Sequence, residues 1–332
     1  MHSAVAQDSF ERALAEAVTR HDGSSPVTAM IHEHFGFGPG EIRRGKRLRP
    51  RLVLCVAEEE GATADAAIHA ACAIEILHNY SLVHDDIEDG DRLRHGRPTV
   101  WATHGIAHGI NTGDAMCAIS YLALLDSVTH HSVDRTLAMT RTLHQANLAM
   151  CAGQARDISF EGTRIVTMED YLAMIGGKTA ALFGAACELG ALCAGAPAER
   201  ARAYAELGRT YGLAFQIEDD VLGTWGDSAT TGKPSGADIA KRKWSFPIVW
   251  AMNEPASPAR EAIVANYGRA QTLDDAAVRD TVAALDALGT REVALAAAQQ
   301  YLITADAVAR TAGIDCSGRV RAFLADGMRR VA

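Results

Sequence analysis

Three aspartates, Asp85, Asp86 and Asp89, follow an apolar stretch within HNYSLVHDDIEDGDRLRHGRPTVW, residues 78–101. At about 100° per residue, Asp85 and Asp89 share one face of a helix and Asp86 lies beside them. Carboxylates this close repel one another unless cations lie between them. Mg²⁺ takes oxygen ligands and is commonly held by carboxylates together with substrate phosphates. The segment therefore predicts a magnesium site, with a solvated acidic helix end as the alternative.

A second acidic pair, Asp219 and Asp220, lies in FQIEDDVLGTWGD, residues 215–227. It again follows helix-like apolar sequence. Two such elements on a helical chain can face each other across a bundle cavity, which is how carboxylate metal sites in bundles are built. Together they could hold several Mg²⁺ ions around one polyphosphate.

Cations near the motifs are candidate phosphate clamps. The run RRGKRLRPR, residues 43–51, places Lys46 and Arg49 one turn apart and pointing the same way, just before an apolar helix. A nucleic-acid patch or a solvated face would also explain the run. Lysines also stand in GGKTAALF, TGKPSG and KRKWSFP. They are Lys178, Lys233 and Lys243. GGKT is not a P-loop, because Leu172 stands where that motif needs glycine and the preceding sequence is helix-like.

The elements that must position these residues are helices. Apolar residues recur at three- and four-residue spacing, as in ERALAEAV and YAELGRTYGLAF, and strand-like alternation is scarce. Turn-forming residues separate the helical windows at 21–26, 37–40, 61–63, 90–98, 195–197, 223–236 and 253–258. We expect one all-α domain over residues 1–332, with peripheral helices from about residue 260.

Composition narrows the function classes. The chain has 332 residues, 48% hydrophobic and 22% charged, and a net charge of −9, which argues against a general nucleic-acid binder. Its seven cysteines include no CxxC pair, which favours a reducing cytoplasm. Neither a signal peptide nor a membrane span is predicted, because the apolar stretch 179–197 is interrupted by Glu188 and resembles a core helix. The histidines at 32, 34, 130 and 131 lack zinc-site spacing and are predicted to lie on the surface.

Six ordered motifs resemble those of the trans-isoprenyl diphosphate synthases, or polyprenyl synthetases. They are GKRLRP (45–50), HNYSLVHDDIED (78–89), GQARD (153–157), GGKTA (176–180), FQIEDD (215–220) and TGKPSGADIAKRKWSFP (231–247). The resemblance implies an isoprenoid synthase-type helical bundle around a deep central cavity, usually a homodimer. It also implies head-to-tail condensation of isopentenyl diphosphate with an allylic diphosphate.

The resemblance also implies a role for each matched residue. The Mg²⁺ ligands, for three ions that Mn²⁺ can replace, would be Asp85, Asp86, Asp89, Asp219 and Asp220. The allylic diphosphate would be neutralised by Arg94, Lys178 and Lys243, with Lys233 on the same side. Isopentenyl diphosphate would be bound by Lys46, Arg49 and His78. The catalytic set would be Lys178, Thr179, Gln216 and Lys243.

Two positions depart from the family pattern. Gly223 stands where the second aspartate motif commonly ends in a third aspartate, although Asp227 follows. His95 replaces the second arginine of the family's RRG element, which normally helps to bind isopentenyl diphosphate. A histidine offers no bidentate fork and is only partly charged near pH 7.

Product length is expected to be C15 or C20, with Tyr80 as the floor of the cavity. Tyr80 precedes Asp85 by five residues, so on one helix it would lie about 7–8 Å deeper than the metal site. Ser81 is too small to stop a growing chain, and Leu77 would line the space beneath. The alternative is that Tyr80 is only a core aromatic.

Other functions remain open. A class I terpene synthase shares the fold but acts on one prenyl diphosphate, and it would leave GKRLRP without a task. A non-catalytic partner subunit of a prenyltransferase usually loses one aspartate motif, whereas both are present.

Overall fold

The computed structural model describes residues 2–23, 25–37, 45–163, 165–226, 235–269 and 273–314, together with 318, 320 and 322–324. Side chains of the first helix are described from Ser9 onward. The described chain is almost entirely helical, which confirms the predicted fold class.

The helices follow one another with short connections. They are α1 (His2–Asp22), α2 (Pro26–Phe35), α3 (Leu48–Glu59), α4 (Ala64–Glu88), α5 (Val100–His104), α6 (Ile106–Leu125), α7 (Val133–Ser159), α8 (Met168–Ile175), α9 (Ala181–Cys193), α10 (Ala198–Trp225), α11 (Ala237–Ala240), α12 (Phe246–Asn253), α13 (Pro258–Tyr267), α14 (Asp275–Ala287) and α15 (Thr290–Thr311). A 3₁₀ turn spans Asp126–Thr129, and a π-helical turn, Gly176–Ala180, joins α8 to α9.

Helix ends fall where the turn-forming residues predict them. Ser25 caps α2 by accepting from the Val27 and Thr28 amides, and Pro26 opens the helix. Thr63 caps α4 in the same way through the Ala66 amide. The connections at 61–63, 195–197 and 253–258 thus separate helices as expected.

The chain packs as two compact units, and the prediction of a single domain stays a prediction. The first unit comprises Met1–Gln145, Ala185–Tyr204 and Gly318–Val320, and the second comprises Ala146–Gly184, Ala205–Ser317 and Arg321–Ala332.

The core of the first unit is built around α4. Every residue from Ala70 to Leu77 is buried, so this helix is enclosed on all sides by α1, α3 and α6. Close packing continues on α3, where a Cβ on Gly190 of α9 would lie 2.5 Å from the Val53 carbonyl oxygen. A glycine there lets the two backbones approach.

The core of the second unit gathers aromatic and branched side chains from α8, α10, α12 and the C-terminal helices. Tyr171 and Phe246 meet edge to face, with ring centroids 5.8 Å apart. Trp244 donates from its indole to the Phe160 carbonyl oxygen at 3.0 Å, which satisfies the polar atom of a buried ring.

One segment, Met168–Cys193, is long and apolar enough by composition to cross a bilayer. Sixty-seven per cent of its most apolar window is buried inside the protein. Most of its apolar surface is therefore already covered by protein, which agrees with the core helix expected at 179–197.

A small hairpin interrupts the helices after α4. Strands β1 (Leu93–Arg94) and β2 (Arg97–Pro98) pair antiparallel and are joined by His95 and Gly96. Both loop residues have positive φ, 53° and 79°, as a two-residue type I′ turn requires. This hairpin carries Arg94, so its turn geometry helps to set that side chain's position.

Candidate active site

The first aspartate motif lies at the C-terminal end of α4, in the first unit. Asp85 is half-buried and Asp89, the residue that ends the helix, is exposed. Asp86 is buried and accepts from Arg94 on the hairpin, with Nε and Nη2 lying 2.9 and 2.8 Å from Oδ1. Burial raises the pKa of Asp86, and the Arg94 guanidinium opposes that rise. Asp86 therefore holds Arg94 in place, while its predicted role as a metal ligand stays a prediction.

His84, directly before this motif, fixes the end of α4 against α6. Its Nε2 donates to the Ile110 carbonyl oxygen at 3.2 Å, and a Cβ on Gly113 would overlap the imidazole. Gly113 therefore makes the space in which His84 lies. On its other side His84 meets the Tyr80 ring edge to face, with centroids 5.7 Å apart.

Tyr80, the predicted floor residue, is buried on α4 five residues before Asp85. Leu77 is fully buried, and Ser81 donates to the His78 carbonyl oxygen at 2.8 Å. All three lie on the helix where the sequence placed them. Their effect on product length stays a prediction.

The basic run before α3 contains a buried arginine that the motif analysis missed. Arg47 has a positive φ of 51°, and its guanidinium reaches Glu11 at 2.9 Å and Glu75 at 2.8 Å. The opposite charges and the hydrogen bonds raise the Arg47 pKa against the effect of burial. This network anchors the segment that presents Lys46 and Arg49.

Lys46 lies just before helix α3, as the sequence predicts, whereas Arg49 already lies in the first turn of that helix. Helix α3 begins at Leu48, after Arg47 has turned into the left-handed region, so Lys46 lies outside the helix and is exposed. Helix α3 therefore starts directly after the left-handed residue Arg47, whose guanidinium pairs with Glu11 and Glu75.

Arg49 and His78 meet as the resemblance implied, with Nη1 and Nε2 3.1 Å apart. Because a guanidinium can only donate, His78 accepts through Nε2 and is neutral in this pairing. Burial and the nearby Arg49, Arg94 and Arg47 guanidinium groups lower its pKa well below the usual value. His78 therefore orients Arg49 and supplies no charge of its own at neutral pH.

The prediction of a surface position is wrong for His34. It lies half-buried on α2, with Nε2 donating to Asn79 Oδ1 at 3.0 Å. Burial lowers its pKa to about 4, and the Arg94, Arg47 and Arg97 guanidinium groups add to the effect. No spacing in the sequence predicts this contact, because His34 and Asn79 lie on different helices.

In the second unit, Lys178 lies in the π-helical turn and is held by Asp157 of α7. Nζ and Oδ2 are 2.6 Å apart. The helices come this close because two glycines face each other: a Cβ on Gly153 would overlap the Lys178 backbone nitrogen, and one on Gly177 would lie 2.5 Å from the Ala149 oxygen. Asp157 is a functional candidate that sequence reasoning missed, although its motif, GQARD, was noted.

Thr179, Gln216 and Asp220 form one hydrogen-bonded series. Thr179 donates to Gln216 Oε1 at 2.7 Å, and Gln216 Nε2 donates to Asp220 Oδ1 at 2.9 Å. Asp220 Oδ2 accepts from the Tyr171 hydroxyl at 2.6 Å and from the Phe246 amide at 2.7 Å. Burial raises the Asp220 pKa to about 7, and these donors oppose the rise.

These bonds engage both oxygens of Asp220, so the geometry favours an anchoring role for it. Asp219, its neighbour, is half-buried. The role of either residue as a metal ligand stays a prediction. Tyr171, which no sequence motif pointed to, belongs to the same series.

At Gly223, where the second motif lacks its third aspartate, the carboxylate of another residue fills the space. A Cβ on Gly223 would overlap Asp238 Oδ2, so the Asp238 carboxylate occupies the space that a side chain at 223 would fill. Lys243 is half-buried, and its carbonyl oxygen accepts from the Tyr267 hydroxyl at 3.1 Å. Lys233 and Asp227 lie outside the described residues.

The acidic residues fit Mg²⁺ in the chemistry of their donors, which are hard carboxylate oxygens. Within the described ranges, no three His, Cys, Asp or Glu side chains are grouped closely enough to hold an ion alone. Mg²⁺ usually keeps several waters and is bound through one or two carboxylates together with substrate phosphates, so side chains need not complete the coordination alone.

Comparison with known proteins places the chain in a family. The family model for polyprenyl synthetases matches residues 41–285. The chain is 38% identical over 316 residues to a (2E,6E)-farnesyl diphosphate synthase of Mycobacterium tuberculosis, covering 93% of this chain and 83% of that one. It is 40% identical over 241 residues to a geranylgeranyl diphosphate synthase of the same organism, covering 71% and 68%.

Solved structures show the same fold. A polyprenyl synthetase from Streptomyces coelicolor A3(2) superposes with a TM-score of 0.89 at 32% identity, covering 99% of this chain and 98% of that one. A geranylgeranyl pyrophosphate synthetase from Pyrococcus horikoshii gives 0.86 at 29% identity, covering 99% and 97%. The chain belongs to the polyprenyl synthetase family.

Proposed function

We propose that this chain condenses isopentenyl diphosphate head-to-tail with dimethylallyl, geranyl or farnesyl diphosphate. The products are a C15–C20 prenyl diphosphate and free diphosphate. The observation that carries the proposal is the clamping of motif cations by motif carboxylates: Arg94 by Asp86, and Lys178 by Asp157. Cations held in place before substrate arrives are suited to stabilise a leaving diphosphate.

The reaction needs three events. The allylic C–O bond breaks heterolytically, the alkene of isopentenyl diphosphate attacks the resulting cation, and a proton is lost to the released diphosphate. In this assignment Arg94, Lys178 and Lys243 neutralise the leaving group, and Lys233, which lies outside the described residues, would act on the same diphosphate. Lys46 and Arg49, oriented by His78, hold the second diphosphate. Thr179 and Gln216 line the reacting centre, from which water must be excluded.

Asp85, Asp89 and Asp219 would hold Mg²⁺ on the allylic diphosphate, and Asp86 would join them if its Arg94 donors are displaced. Asp220, whose two oxygens accept from Gln216, Tyr171 and Phe246, would support Asp219 from the neighbouring position. We propose three such ions, with Mn²⁺ as a substitute. The bound ions would supply Lewis-acid stabilisation of the negative charge that develops on the leaving oxygen.

The test is incubation with ¹⁴C-isopentenyl diphosphate and each allylic primer, with product length read by chromatography. Asp85→Ala and Asp219→Ala should each lower kcat by orders of magnitude and raise KM less, because the lost contacts act on the leaving group in the transition state. Asp134→Ala, which removes an exposed carboxylate at the start of α7, is the matched control and should retain activity.

Full activity in excess EDTA would contradict the proposal. Hydrocarbon products formed from one prenyl diphosphate without uptake of label would identify a terpene synthase. Activity that appears only with a related enzyme added would identify a partner subunit.

We also propose a cytoplasmic homodimer. No disulfide joins the six cysteines that the structure describes, in keeping with a reducing compartment. Helices α6 and α7 carry exposed apolar side chains, among them Ile106, Leu125 and Leu137, which are 55%, 41% and 56% exposed. Exposed apolar faces of this kind mark contact surfaces.

The dimer is tested by sedimentation equilibrium. Leu125→Glu with Leu137→Glu should yield monomers, because two charges would be buried without partners. Ile303→Glu on α15, a site of similar exposure, should leave the wild-type mass. A wild-type chain that sediments as a monomer contradicts the proposed assembly.

A further inference from the structure

The series Tyr171–Asp220–Gln216–Thr179 has a direction that its chemistry imposes. The Phe246 amide can only donate, and Asp220 in its ionised form can only accept, so both oxygens of the ionised carboxylate receive hydrogens. The Tyr171 hydroxyl must then donate to Oδ2, and Gln216 must turn its NH₂ group toward Oδ1.

The orientation of Gln216 in turn fixes the direction of its hydrogen bond with Thr179. With its NH₂ group committed to Asp220, Gln216 presents Oε1 to Thr179 at 2.7 Å. Because Oε1 can only accept, the Thr179 hydroxyl must donate its single hydrogen to Gln216. The remaining lone pairs of Thr179 Oγ1 then point away from Gln216.

The series is rigid where the direction is set. Tyr171 is fully buried, and Asp220 and Thr179 are each 7% exposed. Gly212 brings α10 against the start of α9, since a Cβ on it would lie 2.7 Å from the Ala180 Cα. Residues 179 and 216 are thus held side by side in the second unit.

We propose that Tyr171 and Asp220 are positioning residues that fix the hydroxyl of Thr179 with its hydrogen turned inward and its lone pairs toward the allylic cation. An oxygen lone pair stabilises a neighbouring carbocation, whereas a hydroxyl hydrogen pointing at it opposes its formation. This inference rests on the proposed function, in which Thr179 lines the reacting centre.

Reversing the direction gives a sharp test. In Asp220→Asn, the new amide oxygen accepts from Tyr171 and Phe246, and the new NH₂ group faces Gln216. Gln216 then flips, its NH₂ group donates to Thr179, and the Thr179 hydrogen turns outward. We expect kcat to fall about 100-fold with KM for both substrates nearly unchanged.

The double variant Asp220→Asn with Gln216→Glu restores the direction. The NH₂ group introduced at position 220 would donate to one oxygen of the carboxylate introduced at position 216, and the other oxygen would again accept from Thr179. We expect kcat to recover at least about tenfold over the single variant. Tyr171→Phe, which removes one of the donors on Asp220, should lower kcat about threefold to tenfold.

Tyr204→Phe is the matched control, since its buried hydroxyl also donates to a carboxylate, Glu60, at 2.7 Å in the first unit. It should keep the wild-type kcat. Circular dichroism melts confirm that each variant is folded. Mn²⁺ binding in the presence of inorganic diphosphate, followed by electron paramagnetic resonance, should be unchanged in Asp220→Asn.

The outcomes separate the two claims. A double variant no faster than the single one, or a loss of Mn²⁺ binding in Asp220→Asn, overturns the positioning role and makes Asp220 a metal ligand. A wild-type enzyme that makes no prenyl diphosphate overturns the proposed function itself.

Discussion

His95 occupies the first position of the hairpin turn, with φ at 53° and an exposed side chain. The left-handed region tolerates histidine better than most residues. The hairpin therefore accommodates the substitution, and the neighbouring Arg94 keeps its bond to Asp86. With histidine at position 95, the chain lacks a second, permanently charged guanidinium beside that of Arg94.

His95→Arg should lower KM for isopentenyl diphosphate, because a forked, fully charged donor is added to the predicted site. The left-handed backbone should cost at most about 1 kcal/mol of stability. Steady-state kinetics with the allylic substrate saturating measure the effect. An unchanged or higher KM means that residue 95 does not reach this substrate.

Tyr80→Ala should lengthen the product by one or more five-carbon units, since it removes a buried ring five residues below Asp85. Chromatography of dephosphorylated products measures the change, and Ser81→Ala is the control that should leave the length as it is. If the Tyr80→Ala enzyme is folded and active with an unaltered product, Tyr80 is not the floor of the cavity.

At the scale of elements, two neighbouring cations before α3 have different roles: Arg47 is structural, and Lys46 is a candidate for substrate binding. Arg47 is 6% exposed between Glu11 and Glu75, which come from α1 and α4, whereas Lys46 is exposed. Asn79 extends the network by donating to Glu75 Oε1 at 2.9 Å. The buried ions thus join helices that are distant in sequence.

Arg47→Met should destabilise the protein by about 3–5 kcal/mol, because it leaves two buried carboxylates without their cation. Lys46→Met should leave the unfolding free energy within about 0.5 kcal/mol and raise KM for isopentenyl diphosphate. Urea unfolding gives the stabilities. Equal losses in the two variants would contradict this division.

The sequence predicted the helices and the positions of the aspartates well, because periodicity and capping are local. It could not show that Arg47 is buried between Glu11 and Glu75, because these two residues lie on helices that are distant in sequence. It also could not show that Asp238 fills the space at Gly223, fifteen residues earlier in the chain.

The sequence also could not distinguish the roles of adjacent aspartates, because these roles depend on contacts with residues that are distant in the chain. Asp85 and Asp86 look alike in a motif, yet only the fold brings Arg94 onto Asp86. The Asp220 carboxylate is likewise distinguished from Asp219 by Tyr171 and Phe246, which lie 49 and 26 residues away. Tertiary contacts assign these tasks.

At the scale of the whole molecule, half-buried histidines with lowered pKa values make the stability depend on pH. His34 has a folded pKa of about 4 against 6.5 when unfolded, and the pKa of His78 is lowered in the same direction. Between these values the unfolded chain binds more protons than the folded one, so stability falls as the pH drops below about 6.5. The raised pKa of Asp220 acts in the opposite direction, because there the folded state binds the extra proton.

His34→Gln isolates the contribution of His34 to the pH dependence of stability. The contributions of the other titrating groups, including Asp220, cancel when the variant is compared with the wild type. Between pH 7.5 and pH 5.0, His34 should cost the wild type about 2 kcal/mol of unfolding free energy, and glutamine removes that loss. Urea unfolding at both pH values measures the difference. The stability gap between the two proteins should shift by that amount in favour of the variant at pH 5.0. A gap that is the same at both pH values would show that His34 is protonated equally in the folded and unfolded states.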